Sequence, residues 1–488
     1  MRAWGEAMLQ REWPLMWAGG FACAVLLIAW APNGQFGQVF GEMLVRLLHG
    51  QFDISPATIG GEAFVYKGRT YAYFGVFCAL LRLPLLLTGQ IGLDITKPSM
   101  IVAAGVSLAA RLAATSLALR HAEGVSRPLR LIILGAVAFG GESLQYQRPS
   151  IYQEVCSWGA ALGAVFVYLA VRRLFAPPRN PAPLYAGMAA VAGLALLCRV
   201  SFGLGLYAGL GLMLTLEAWR RWRTPLAGVR ALAPAALVLV LFAGAAGAVN
   251  DARWGNPLTF VPIRYQLLIQ RMAPDRLPRL SHYGEANLRR VPYALQYYFA
   301  PVWMLQHGDG RMLFQQTQVE LFDSVELPPS SFLLSDTLVC LLAGLGVWTL
   351  ARRPARIPDA PLAAAGLAGL ALPAAVMLTA ISLTFRYRMD FYPSLDFAAC
   401  LGAASLRIDP ARTPRRLVHR IAWVAAIVLW AAVFAIATLW LYDWTPFGPA
   451  VDLDMRRGWI TPILDRVRGH SPYVGHLLPD GRRLPFPK

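Results

Sequence analysis

Chemistry needs polar groups, and in this sequence they gather in a few short stretches. The first is HGQFDISPATIGGEAFVYKGRTYAY, residues 49–73, whose carboxylates are Asp53 and Glu62. A carboxylate held at a membrane face can take the proton of a hydroxyl as that hydroxyl attacks an activated carbon. Gly60 and Gly61 precede Glu62 and allow a close backbone approach. Tyr71 and Tyr73 follow with flat amphipathic rings. The plainer reading makes each acid a turn or cap residue of a surface loop, and the residues alone do not choose between Asp53 and Glu62.

Four further stretches carry charge inside apolar surroundings. GGESLQYQRPSIYQEV, 140–155, holds Glu142, Arg148, Tyr152 and Glu154. Arg148 can pair with Glu154 or with a phosphate, and a purely structural ion pair reads equally well. Arg199 stands alone in LLCRVSFG, where its charge needs a partner, an anionic headgroup or a snorkelling path. NDARWGNPLTFVPIRYQ, 250–266, interleaves Arg253 and Arg264 with aromatic rings. Such a surface suits sugar stacking and phosphate pairing, or plain interfacial anchoring. LTFRYRMDFYP, 383–393, crowds Arg386, Tyr387 and Arg388 together, and arginine is the preferred fork for phosphate. The six Cys are scattered through apolar segments as small buried hydrophobes, and the seven His form no metal-binding spacing. No metal site is expected from the residues.

These groups must be positioned by a membrane scaffold. Hydrophobic residues make up 57% of the 488, charged residues only 15%, and mean hydropathy is +0.47. Apolar blocks of roughly 20 residues recur along the chain, the length that spans a bilayer. The net charge of +18 is dispersed in short loops between these blocks. That is the positive-inside pattern and excludes a nucleic-acid footprint. With Arg2 and Arg11 inside, the expected spans are 13–31, 98–118, 129–141, 151–171, 184–198, 203–218, 230–249, 331–350, 361–383, 391–406 and 421–442, about eleven in all, with the N-terminus cytoplasmic and the C-terminus outside. The first span reads as a retained signal anchor. Residues 71–88, interrupted by Arg82 and Pro84, read as an interfacial helix, and 35–50 as a second amphipathic one. The fold class is an all-α polytopic membrane protein with extracytoplasmic juxtamembrane helices and loops. Residues 1–442 form the transmembrane catalytic domain, with outer loops at 33–97 and 250–330, and 443–488 form an extracytoplasmic tail. All five polar stretches then fall on one face.

With this layout the chain resembles the integral-membrane glycosyltransferases of the GT-C class, which use lipid-phosphate-linked sugars. The resemblance lies in a long first outer loop with an acid in HGQFDISP, in the juxtamembrane segment GRTYAYFGVFCALLRLP, and in RPSIYQEVCSWG at the next outer turn. NDARWGNPLTF and FRYRMDFYPSL are similar to recurring segments of bacterial members. It implies Asp53 as the catalytic base that deprotonates the acceptor hydroxyl, with Glu62 as the open alternative and Glu154 as the further acid of the second outer loop. Tyr71, Tyr73, Arg148, Tyr152, Arg199, Arg253, Arg264, Arg386, Tyr387 and Arg388 are then the substrate-binding set. The implied donor is a polyprenyl-phosphate sugar with its phosphate held by Arg386 or Arg388. The acceptor is a glycan, glycolipid or protein, and transfer is inverting, at the outer face of a bacterial cytoplasmic membrane. No cofactor is firmly implied, and relatives differ in needing a divalent metal. A flippase or transporter of lipid-linked glycans is the alternative. It needs no proton-accepting acid, and the absence of an internal repeat counts against it.

Overall fold

The computed structural model describes residues 2–31, 34, 36–147, 149–267, 270–271, 276–300, 321–322, 324–325, 331–409 and 414–441, with four short strand segments beyond them. The chain is mostly helical. Among the described residues seven helices are long and apolar enough to cross a membrane. They belong to α1 (Arg2–Trp30), α5 (Thr96–Leu119), α7 (Ile151–Phe175), α9 (Val200–Arg220), α10 (Pro225–Trp254), the consecutive pair α13 (Ala360–Leu370) and α14 (Leu372–Thr379), and α16 (Arg415–Leu441).

Four expected spans form shorter helices: α6 (Arg127–Ala138), α8 (Ala182–Cys198), α12 (Thr337–Arg352) and α15 (Tyr392–Ala404). Each falls below the ~20 residues that cross a bilayer unaided. Polar punctuation ends them early. Ser335 and Asp336 stand before α12, and the arginine-rich turn 385–391 stands before α15. These helices are embedded among longer neighbours, α15 almost entirely so. Small residues permit the contact. A Cβ on Gly346 would meet the Ala398 carbonyl oxygen at 2.0 Å, and one on Gly402 would meet that of Leu342 at 1.9 Å. Close backbone approach through small residues is the usual packing mode of membrane helices.

The loops separate onto two ends. At one end, Arg127 bonds Glu12 at 2.7 Å, and Arg407 donates to the His121 carbonyl at 3.0 Å. Glu217 holds both Arg173 and Arg221, and Arg220 forks onto Asp359 with two bonds of 2.7 Å. The basic loops that the charge pattern assigns to one side therefore do meet. The described residues of 36–95, 139–151, 199, 255–300, 322–336 and 380–391 lie at the opposite end, joined by the contacts described below.

In the first loop, residues 35–50 yield α2 (Val39–Leu48), which buries Val39, Phe40, Met43 and Leu44 on one face. Residues 64–71 form a hairpin, β1 (Phe64–Tyr66) and β2 (Arg69–Tyr71). Its two-residue turn has φ of 47° at Lys67 and 77° at Gly68, the handedness that matches strand twist. Residues 71–88 make no continuous helix. They break into α3 (Phe77–Leu80) and α4 (Leu83–Leu87) about Arg82. Across the chain from these, α11 (Val291–Phe299) is the main described helix of the second large loop.

Candidate functional site

The polar stretches converge at Glu62. The hairpin that follows it is pinned to the segment beyond α10: the Leu267 amide donates to the Ala63 carbonyl at 2.7 Å, and Phe64 bridges Gln266. Gln266 Nε2 then donates to Glu62 Oε2 at 2.8 Å. From α7, Tyr152 lies beside the same carboxylate, within its electrostatic reach. The Arg386 guanidinium stacks over the Tyr152 ring at 4.6 Å and over Tyr387 at 5.7 Å. Arg199 stacks over Tyr387 at 4.9 Å and bonds Asp390 at 2.9 Å, with Ser201 donating to the other Asp390 oxygen. Tyr73 lies in the field of Arg386, Tyr387, Glu62 and Arg199. Burial raises its hydroxyl well above the ordinary 10.0, against the opposing pull of Arg386. Glu62, Tyr73, Tyr152, Arg199, Arg386 and Tyr387 are all half-buried, so a ligand can reach them.

The site therefore couples a carboxylate to two guanidiniums across a floor of tyrosines. Its members come from the first loop, the start of α7, the α8–α9 junction and the turn before α15. A hydroxyl placed at Glu62 has an acceptor for its proton. An anion placed beside Arg386 and Arg199 has fixed cations in a poorly solvated setting, where such pairing is strongest.

Several expected site residues are used for structure instead. Glu154, fully buried, takes both terminal nitrogens of Arg82, one at 2.7 Å, and Arg82 also bonds the Cys78 carbonyl at 3.0 Å. This pair clamps the α3–α4 bend to α7. Its partner is Arg82, a residue the sequence reading treated only as an interruption. Arg148, the expected partner of Glu154, lies outside the described residues. Arg388 is fully buried against Asp336 at 2.6 Å, Ser335 Oγ at 2.7 Å and the Tyr392 hydroxyl at 3.2 Å. A phosphate does not reach it, whereas Arg386, two residues earlier, is only half-buried.

Asp53 is bound by Arg46 at 3.1 Å, and Arg46 in turn bonds Glu42. Glu42 accepts the Ser55 amide at 2.7 Å and the Thr58 hydroxyl. These bonds fold residues 53–58 back onto α2, and Asp53 does not join the Glu62 cluster through any hydrogen bond among the described residues. Arg253 is buried, donating to the Phe74 carbonyl at 2.9 Å and approaching Met43 Sδ at 3.7 Å. It staples α10 to the first loop. Tyr71 is buried 5.3 Å from the Trp254 ring. Arg264 is exposed, stacks on Tyr265 at 5.0 Å, and lines an open groove of about 530 Å³ with Phe260, Pro262, Leu280 and Glu285. Gln266, two residues beyond Arg264, is the residue that bonds Glu62.

A second polar network is buried deeper. Arg111 forks onto Asp396 at 2.8 and 3.0 Å and bonds Glu142 at 2.7 Å, with the Tyr392 ring 4.6 Å from its guanidinium carbon. Tyr392 also bonds Asp336, linking this triad to Arg388. The signal for both networks was present in the sequence as ionisable residues inside apolar runs, which demand partners.

Among the described residues, no group of three or more His, Cys, Asp or Glu side chains is placed to hold a metal ion. Comparison with family models, with curated proteins and with solved structures finds no match to this chain.

Proposed function

We propose that the protein is a GT-C-like glycosyltransferase that moves a sugar from a polyprenyl-phosphate donor to a hydroxyl acceptor at the outer face of a bacterial cytoplasmic membrane. In this reading the short helices α6, α8, α12 and α15 complete about eleven crossings, with the basic loops cytoplasmic. The observation that carries the proposal is that Glu62 and Arg386 both lie around Tyr73 and Tyr152, a carboxylate and a cation about one pair of tyrosines, at the end of the helix bundle opposite the basic loops.

The acceptor lies in the groove beside Arg264 and points its hydroxyl at Glu62. Glu62 removes the proton as the hydroxyl oxygen forms its bond to the anomeric carbon. The bond from that carbon to the donor phosphate breaks at the same step, which inverts the centre and releases prenyl phosphate. Arg386 and Arg199 hold the phosphate and take up the charge that develops on it. Stacked tyrosines offer apolar faces to the sugar rings.

Purified protein in lipid, supplied with a panel of prenyl-phosphate sugars and acceptor extracts, with and without divalent cation, tests the proposal. The expected result is release of free prenyl phosphate. Replacing Glu62→Gln slows it by about 10²–10⁴-fold while donor binding persists. Donor binding followed by movement of the intact lipid-linked sugar across the bilayer, with no release, overturns the proposal in favour of transport.

A further inference from the structure

The buried network around Arg111 carries more acid than base. Among the described residues its carboxylates are Glu142, Asp336 and Asp396, and its guanidiniums are Arg111 and Arg388. All five are at least nine-tenths buried. Among these five, carboxylates outnumber guanidiniums by one, a costly excess inside a membrane protein. The excess has a location: among the described residues Glu142 Oε1 is buried and has no hydrogen-bond partner, whereas Oε2 is held by Arg111.

Glu142 also lines a cavity of about 150 Å³ between α1, α5, α6 and α16. Arg111, Ser143 and Tyr146 line the same end as Glu142, and the remaining walls are mostly apolar, with Ala24, Leu27, Leu108 and Ile436 among them. A cavity of this size takes a ligand as large as benzene in a soluble protein. Both α1 and α16 turn large apolar side chains outward at Leu26, Trp430 and Phe434, so the cavity is flanked by helices that face hydrocarbon.

We infer that this cavity is a binding site for a small amphiphilic cation, a primary ammonium on a hydrocarbon chain, with the ammonium donating to Glu142 Oε1. The ligand supplies the missing positive charge and the missing donor at one point, and its chain fills the apolar walls. An anionic headgroup fits neither the free oxygen nor the charge count, which separates this site from the arginine-bearing site at Glu62.

The test uses the full chain in phosphatidylcholine nanodiscs, titrated with hexylamine or hexanol while the thermal midpoint is read. Hexylamine raises the midpoint saturably by about 3–5 °C, as expected for a ligand held by the folded state only, and hexanol does not. Glu142→Gln unfolds cooperatively without ligand and loses the hexylamine shift. Ala24→Leu fills the cavity without touching the network and weakens hexylamine by about tenfold or more. Competition by phosphatidylethanolamine added to the nanodisc assigns the site to a lipid headgroup, and lack of competition assigns it to free amines. Equal shifts from alcohol and amine overturn the inference. So does absence of any saturable amine shift, the result if a bound proton already neutralises the network. Unaltered amine affinity in both variants overturns it as well, and Ala24→Leu decides alone if Glu142→Gln does not fold.

Discussion

Arg82 and Glu154 close an ion pair with almost no solvent contact, 1% and 0% exposed, that ties the first outer loop to α7. Removing one partner leaves the other charge buried and unpaired. Glu154→Met or Arg82→Met should therefore each destabilise the protein by about 3–5 kcal/mol. The double replacement by Met at both positions should recover much of that loss. Thermal unfolding of the four proteins in one lipid system gives the coupling directly. Equal stability of all four would show that the pair does not hold the loop.

Asp53 and Glu62 should separate sharply. Asp53 belongs to a partly exposed ion pair with Arg46, so Asp53→Asn should cost less than about 1 kcal/mol and leave prenyl-phosphate release near wild type. A collapse of release in Asp53→Asn, with the fold intact by circular dichroism, would return the base to Asp53.

Arg386 and Arg388 should fail in different ways. Arg386→Lys keeps the charge but loses the planar stacking on Tyr152, and should raise donor KM roughly tenfold with little change in stability. Arg388→Lys breaks a buried fork onto Asp336 and Ser335 and should appear first as a lowered thermal midpoint. Parallel kinetics and melting curves distinguish the two.

Acid should loosen the basic end. Hydrogen bonds from Arg220 hold the Asp359 carboxyl below its ordinary 3.8. A carboxyl depressed on folding adds stability above its unfolded value, and that stability is lost as pH falls through the folded value. Asp359 also caps α13 by accepting the Leu362 amide. Asp359→Asn should cost about 1 kcal/mol at neutral pH and flatten the loss of stability below pH of about 4. Thermal midpoints across an acid pH series check both.

Alkali should act through Tyr73. Its hydroxyl is raised above 10.0 by burial, so the folded state resists ionisation that the unfolded chain accepts. Stability is complete below about pH 10 and falls above it as the unfolded tyrosine ionises. Tyr73→Phe should shallow that alkaline decline, read from midpoints between about pH 9 and pH 11.

Much of the layout was written in the sequence. Grouping the loops by charge brings residues 120–127, 172–173, 220–221 and 407 to one end, and the contacts of Glu12, Glu217 and Asp359 show the same grouping. The amphipathic run at 35–50 became α2, one face of which is buried at Val39, Phe40, Met43 and Leu44 while Leu48 stays exposed. These properties depend on transfer from water to hydrocarbon and on helical period, and both are read along one dimension. Pairing among ionisable residues was not legible in this way. Arg82 meets Glu154 across 72 residues, and Arg111 meets Asp396 across 285. Which partners meet depends on how each helix is rotated and how closely it approaches its neighbours, and glycines such as Gly346 and Gly402 set that approach by admitting a backbone atom where any side chain would clash. Arg386 and Arg388 show the limit most clearly. They are equivalent as letters two apart, but the tight 3-10 turn Phe385–Phe391 points residues at that spacing in different directions. One guanidinium reaches the Glu62 cluster and the other is sealed against Asp336, a difference that exists only once the chain has folded in three dimensions.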